Sequence, residues 1–233
     1  VKPIVVLRNE PDAPAGYLGD ALDRRGHAWR TVRLDAGEAL PYPDDVLAVA
    51  VLGGAMGAYD EDRFPFLASE KSFLADCASR SIPVLGICLG CQLLADALGG
   101  SAYLAPTAEV VFAPIELTAA GRIDSVVAAL EGRRVVRFHQ DTFDLPPGVE
   151  PLATGGGFLQ AFRVGSAIGI QPHPEVTPAL LSMWFEHDSA RALATKAGTD
   201  PDALAATFVA AEAEAEVTAA AVFDAWLDEV TTP

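Results

Sequence analysis

In the stretch VLGICLGCQLLADALGG, Val84 to Gly100, an apolar run enters a turn with glycines two residues either side of Cys88 and leaves as a helix-forming segment. A strand that reverses this sharply into a helix requires small flanking residues, and it lifts the central side chain above the sheet edge in a nucleophile elbow. The free N–H groups and dipole at the helix start favour a thiolate there. The Leu89 N–H points to the same place and can hold an oxyanion. Cys88-Leu89-Gly90-Cys91 also reads as the C-x-x-C of a redox pair, which sits at a helix start but needs no glycine two residues before its first cysteine. A zinc clip needs a second ligand pair, which Cys77 and scattered histidines do not supply at the usual spacing. Cys91, one turn on, and Cys77, on an apolar helix face, read as small core residues.

Around the elbow, strand and helix alternate. PIVVLR (3–8), WRTVRL (29–34), VLAVAVLGG (46–54) and PVLGIC (83–88) read as strands, and 16–26, 64–80 and 90–99 as helices. The nearly continuous apolar runs suit parallel strands covered on both faces. The middle segments EVVFAPIEL, RRVVRFH, GFLQAFRV and SAIGIQ are strands with short connections, so some antiparallel pairing is expected. The expectation is an α/β fold with a doubly wound, mostly parallel sheet over residues 1–190, and an acidic helical C-terminal extension over 191–233. In the extension, Asp200-Pro201 marks a helix start. Leu204, Phe208, Ala211, Ala215, Ala219, Val222, Trp226 and Val230 then recur at steps of three or four, giving one apolar stripe on one long helix. Such a stripe packs on its own domain or forms a contact with a partner, for instance a homodimer.

The chain has 233 residues and a formal charge of −16, a field that repels phosphate backbones and anionic membranes. Nucleic acid and membrane are therefore not expected partners. Thr177 to Pro233 carries half of that excess, ten acids against two bases, and reads as a solvated helix face. No stretch approaches the roughly 20 apolar residues of a membrane helix, and Val1 to Val6 is too short for a signal peptide's apolar region. The expected location is the cytoplasm. Three cysteines cannot all pair, which argues against a disulfide scaffold.

A thiolate nucleophile needs a base and a group to orient it. Of the four histidines, His27 and His187 lie in polar surroundings and read as surface residues. His173 differs. It stands between two prolines in QPHPE, after an apolar strand, and a residue before proline is held extended. In an extended chain Glu175, two residues on, faces the same side. A carboxylate there fixes the imidazole tautomer and stabilises its charged form. Gly53-Gly54, at the end of another buried strand, lets a backbone N–H approach a substrate closely.

GICLGCQ, HPE and the upstream GG resemble class I (triad-type) glutamine amidotransferases, and HQDTFDLP (139–146) resembles that family's H-x-D segment. The plain alternative for His139 and Asp141 is that they belong to loop structure beside the site. The resemblance spans about Pro3 to Leu181 and looks closest to stand-alone relatives of the amidotransferase domain of GMP synthase. It implies a flavodoxin-like domain with Cys88 as nucleophile, His173 as base and acid, and Glu175 orienting it. It implies an oxyanion hole from the Gly54 and Leu89 N–H groups. Gly53, Gln92, His139, Gln140 and Asp141 would line the glutamine site. No metal or cofactor is implied. The implied reaction is cleavage of the glutamine side-chain amide through a γ-glutamyl thioester, the ammonia going to a separate synthetase subunit. Hydrolysis of other γ-glutamyl amides or peptides, or a non-catalytic binding role, are the alternatives. Gln140 stands where the family has glycine and Pro172 where it has an aromatic.

Overall fold

In the computed structural model, which describes residues 2–231, the N-terminal half alternates as the apolar runs require: β1 (Ile4–Arg8), α1 (Gly16–Arg24), β2 (Trp29–Arg33), β3 (Ala48–Val51), α2 (Phe66–Ser79), β4 (Val84–Ile87) and α3 (Leu89–Ala97). Val1, Thr232 and Pro233, which fall in the ranges 1–190 and 191–233, lie outside the described residues. The middle of the chain forms β5 (Ser101–Pro114), β6 (Glu116–Leu117), α4 (Ala119–Ile123), β7 (Arg134–Asp144), β8 (Ala153–Gly155), β9 (Phe158–Val164) and β10 (Ala167–Ile170). It ends with α5 (Pro178–Trp184), α6 (Asp188–Lys196), α7 (Pro201–Ala210) and α8 (Glu212–Thr231).

The main sheet runs β2-β1-β3-β4-β10-β9-β8-β6. Its first five strands are parallel and the last three pair antiparallel. The parallel part has the flavodoxin-like order, with helices on both faces. β1, β3 and β4 are buried nearly throughout because each packs on both faces, which is why they read as unbroken apolar runs. One core layer contains Ile4, Val6, Leu18 and Leu22 with Val222, Phe223 and Trp226 of α8. The opposite layer sets Val5, Leu7, Val49 and Val51 against α2 and α3. The segment read as a C-terminal extension thus shares the main core through α8.

Three expectations are corrected. The strand read in RRVVRFH runs on to Asp144, so Asp141 as well as His139 is a strand residue and the loop alternative falls. β5 begins at Ser101, eight residues before EVVFAPIEL, and pairs with β7 in a two-stranded antiparallel ribbon, Glu109 opposite His139 and Leu104 opposite Asp141, with a register shift between them. The ribbon's length was hidden because β7 runs on through the polar stretch HQDT and the register of the pair shifts between Leu104 and Glu109. The stripe 204–230 lies on two helices separated at Ala211, not on one. Leu204 and Phe208 of α7 belong to the cluster around β5 and β7, whereas Val222 and Trp226 pack on the main sheet, so each helix needs its own direction. Finally, the C-terminal acids are not simply solvated. Arg24 reaches Asp224 at 2.7 Å, Arg25 reaches Asp228 at 2.6 Å, and Arg163 bridges Asp124 and Glu229 at 2.6 and 3.0 Å. Three of the segment's ten acids, Asp224, Asp228 and Glu229, are thus paired with arginines at the end of α1 and in β9.

Candidate active site

The carboxyl ends of β1, β3, β4 and β10 open into one cavity of about 470 Å³, where ligands bind in open α/β sheets. Cys88 caps α3 there with φ 52° and ψ −108°, a conformation that costs a non-glycine residue about 1–3 kcal/mol. The flanking glycines make the bend possible. A Cβ on Gly86 would lie 2.4 Å from the Gly90 carbonyl oxygen, and one on Gly90 would lie 2.3 Å from that of Val51. The side chain is nearly buried but lines the cavity. As the first residue of α3, Leu89 has no intrahelical acceptor for its N–H.

Cys91 lies on the other side of α3, in the layer with Phe162, under Gly169. Burial raises its thiol pKa well above the ordinary value, with the Cys88 charge adding to it, and burial pushes Cys77 up to about 12. Both behave as core groups, as the sequence suggested. Among the described residues no group of three or more His, Cys, Asp or Glu side chains is placed to hold a metal ion.

His173 follows β10 and is tied to β7 by its N–H, which donates to the Val136 carbonyl at 2.7 Å. Its Nδ1 lies 2.7 Å from Glu175 Oε1. The route differs from the extended geometry expected, because Pro174 and Glu175 form a turn that brings the carboxylate round to the ring. The turn is held by the Tyr17 N–H, which donates to the Glu175 carbonyl at 2.9 Å. Gly16 packs so tightly beneath that a Cβ would lie 2.0 Å from that oxygen. Burial opposes charge on His173, but the Glu175 carboxylate and the Cys88 sulfur outweigh it and hold its pKa well above the usual imidazole value.

Gly53 connects the two groups. A Cβ there would lie 3.2 Å from His173 Cε1 and 3.7 Å from the Cys88 Cβ. Gly54 is equally crowded, 2.9 Å from the Leu89 side chain by the same measure. The His173 ring and the Cys88 Cβ thus meet beside Gly53, with the Glu175 carboxylate on the Nδ1 side of the ring.

The family model described as "Glutamine amidotransferase class-I" matches residues 20–187. The chain belongs to the class I glutamine amidotransferase family. It is 30% identical over 189 residues to the glutamine amidotransferase-like protein YfeJ of Salmonella typhimurium, covering 78% of this chain and 79% of that one. It is 35% identical over 152 residues to the glutamine-hydrolyzing GMP synthase of Thermomicrobium roseum, covering 60% of this chain but 27% of that protein. Among solved structures, a glutamine amidotransferase of Thermotoga maritima superposes with a TM-score of 0.84 at 28% identity, covering 99% and 98% of the two chains. One from Methylobacillus flagellatus reaches 0.86 at 24% identity, over 98% and 95%.

In this amidotransferase the remaining site residues are placed unevenly. Gln92 lines the cavity, but its Nε2 donates to the Asp141 carbonyl at 3.0 Å and to Gln171 Oε1 at 3.1 Å, tying α3 to β7. His139 borders the cavity, yet its ring is pinned between the Asp141 carbonyl (2.9 Å) and Glu109 Oε2 (3.1 Å). Glu109 is held in turn by Arg137 at 2.9 Å and by Gln160 at 2.8 Å. Gln140 turns its amide to the Ala105 carbonyl, donating at 3.1 Å, at the register shift of the ribbon. Asp141 keeps its carboxylate toward the cavity, where Tyr59 donates to it at 3.2 Å. Burial raises the Asp141 pKa and nearby Asp60 adds to this. Burial and Asp141 push Tyr59 up to about 12.

Sequence reasoning missed several wall residues. Trp184 packs edge-on against the His173 ring, centroids 5.2 Å apart. His187, read as a surface residue, is exposed but stands on the cavity rim, 2.9 Å from Asp12 Oδ2. Tyr59 and Asp60 come from the loop after Gly53-Gly54, and the only signal for them was its position beyond a buried parallel strand.

Proposed function

We propose that this amidotransferase hydrolyses the side-chain amide of glutamine through a cysteine nucleophile. The observation that carries the reading is the contact of Cys88 and His173 with the same point beside Gly53, with Glu175 2.7 Å behind the ring. The Cys88 sulfur attacks the amide carbon, and the developing oxyanion is held by the Gly54 and Leu89 N–H groups. His173, kept protonated by Glu175 and Cys88, gives its proton to the departing nitrogen, and ammonia leaves. The product is a γ-glutamyl thioester. Water, deprotonated by His173, then attacks it to release glutamate and the Cys88 thiol. Asp141, beside Tyr59 and Asp60, is suited to the substrate α-ammonium group. The relatives named glutamine-hydrolyzing GMP synthase extend well beyond the matched region, and a separate synthetase subunit is the ammonia acceptor this reading names.

Cys88→Ala is expected to reduce glutamate release from glutamine at least 10³-fold with unchanged circular dichroism, since removing a covalent nucleophile eliminates the pathway. Wild-type turnover in the folded variant would overturn the assignment.

A further inference from the structure

A buried ion cluster sits where β5, β7 and β9 meet. Glu109 of β5 faces Arg137 and His139 of β7 and Gln160 of β9, and all four are at least nine-tenths buried. Arg137 Nη1 meets Glu109 Oε1 at 2.9 Å, and Gln160 Nε2 donates to Oε2 at 2.8 Å. The β8–β9 turn closes over the carboxylate: a Cβ on Gly156 would collide with Oε1, so only glycine fits there. Of the four residues, His139 is the one that lines the cavity.

The His139 ring is set between two oxygens. Its Nε2 lies 3.1 Å from Glu109 Oε2 and its Nδ1 lies 2.9 Å from the Asp141 carbonyl. A carbonyl oxygen only accepts, and a carboxylate that already faces a guanidinium and an amide N–H is an acceptor as well, so each ring nitrogen must donate. Only the doubly protonated ring does both. Turning the ring over would set carbon atoms against both oxygens and lose both bonds. Phe158 packs edge-on against the ring, centroids 4.9 Å apart. The same Asp141 carbonyl accepts from Gln92 Nε2 at 3.0 Å, and that amide also donates to Gln171 Oε1 at 3.1 Å, two residues before His173. The Asp141 carboxylate is turned to the cavity. Burial raises its pKa and Asp60 adds to this, while the Tyr59 hydrogen bond and the His139 charge pull the other way.

We propose that Glu109 is a positioning residue for the glutamine site: it holds the His139 ring protonated on both nitrogens, and that ring anchors the Asp141 backbone and places a positive charge beside its carboxylate. Asp141 can serve the substrate α-ammonium group only as an ionised carboxylate of fixed direction, and this arrangement provides both. The positioning role rests on the glutamine reading; the state of the ring does not. Glu109 spends its hydrogen bonds on His139 and Gln160 rather than on Cys88 or His173, so its loss acts on substrate binding and not on the reacting atoms.

Two measurements test this. In heteronuclear NMR spectra of the isotopically labelled protein at about pH 7.5, where an unperturbed imidazole is largely neutral, both His139 ring nitrogens are expected to carry directly bonded protons, assigned through contacts with the Phe158 ring. A ring protonated on one nitrogen only overturns the inference, whether or not any variant folds. Glu109→Gln keeps the shape and removes the charge. It is expected to cost the ring one of its two protons and to raise KM for glutamine roughly tenfold or more while kcat stays within about threefold. Because that variant leaves Arg137 buried without its carboxylate, Glu109→Gln combined with Arg137→Gln is measured beside it. A folded variant of either kind with wild-type KM, or one whose kcat falls while KM holds, overturns the positioning role. No glutamate release from the unmodified protein, with the doubly protonated ring present, overturns the glutamine reading and leaves the Glu109–His139 pair standing.

Discussion

Single residues in the cavity act through the charges they impose on one another. His173 is buried, which alone would favour a neutral ring, yet Glu175 and the Cys88 sulfur keep it charged to higher pH than usual. Its folded-state pKa is therefore raised above the unfolded value. The associated stabilisation is fully present below the unfolded pKa and is lost as pH rises through the folded one. Glu175→Gln removes the larger of the two favourable charges. We expect the alkaline limb of the kcat/KM profile to move to lower pH, with a loss of roughly 10²-fold or more near neutrality, measured by glutamate release across a pH series. An alkaline limb at the wild-type position would show that Glu175 does not govern the ring.

Between elements, the clearest coupling is where β1 ends above α2. Asn9 donates to the Leu52 carbonyl and to Glu70 Oε1, both at 3.4 Å, and its Cβ lies near Gly54. Glu70 is fully buried with Oε2 unpartnered, and burial raises its pKa to about 8, only partly offset by the Asn9 hydrogen bond. The unfolded chain releases this proton near the ordinary carboxylate value while the folded chain retains it, so the fold loses stability as pH rises from there toward about 8. Glu70→Gln keeps the shape and removes the titration. It is expected to stabilise the protein by several kcal/mol at about pH 8.5 and by little at about pH 5, read from urea unfolding at the two pH values. A gain independent of pH would refute the buried, protonated state.

At the scale of the whole molecule, α8 closes the core. Trp226 and Leu227 are completely buried, in the same layer as β1 and α1, and the arginines of α1 clamp the outer face of the helix. Those exposed ion pairs contribute little individually, typically under about 1 kcal/mol each, so burial dominates. Trp226→Ala is expected to cost about 3–5 kcal/mol, seen as a lower urea midpoint at an unchanged m-value. A cost below about 1 kcal/mol would mean that α8 only decorates the domain.

Much of this was legible beforehand because it is local. The spacing of glycines around Cys88 dictates a tight strand-to-helix reversal whatever the rest of the chain does, and unbroken apolar runs dictate strands buried on both faces. The proline-flanked histidine with an acid two residues on likewise names its own partner. What lay outside local reach was everything made by distant segments meeting. The pairing of β5 with β7 is made between segments some thirty residues apart with a shift of register, and the break at Ala211 arises because α7 and α8 answer to different core layers. The carboxylate lining of the cavity is assembled from four separate segments of chain, and its charge exists only once the tertiary structure brings them together.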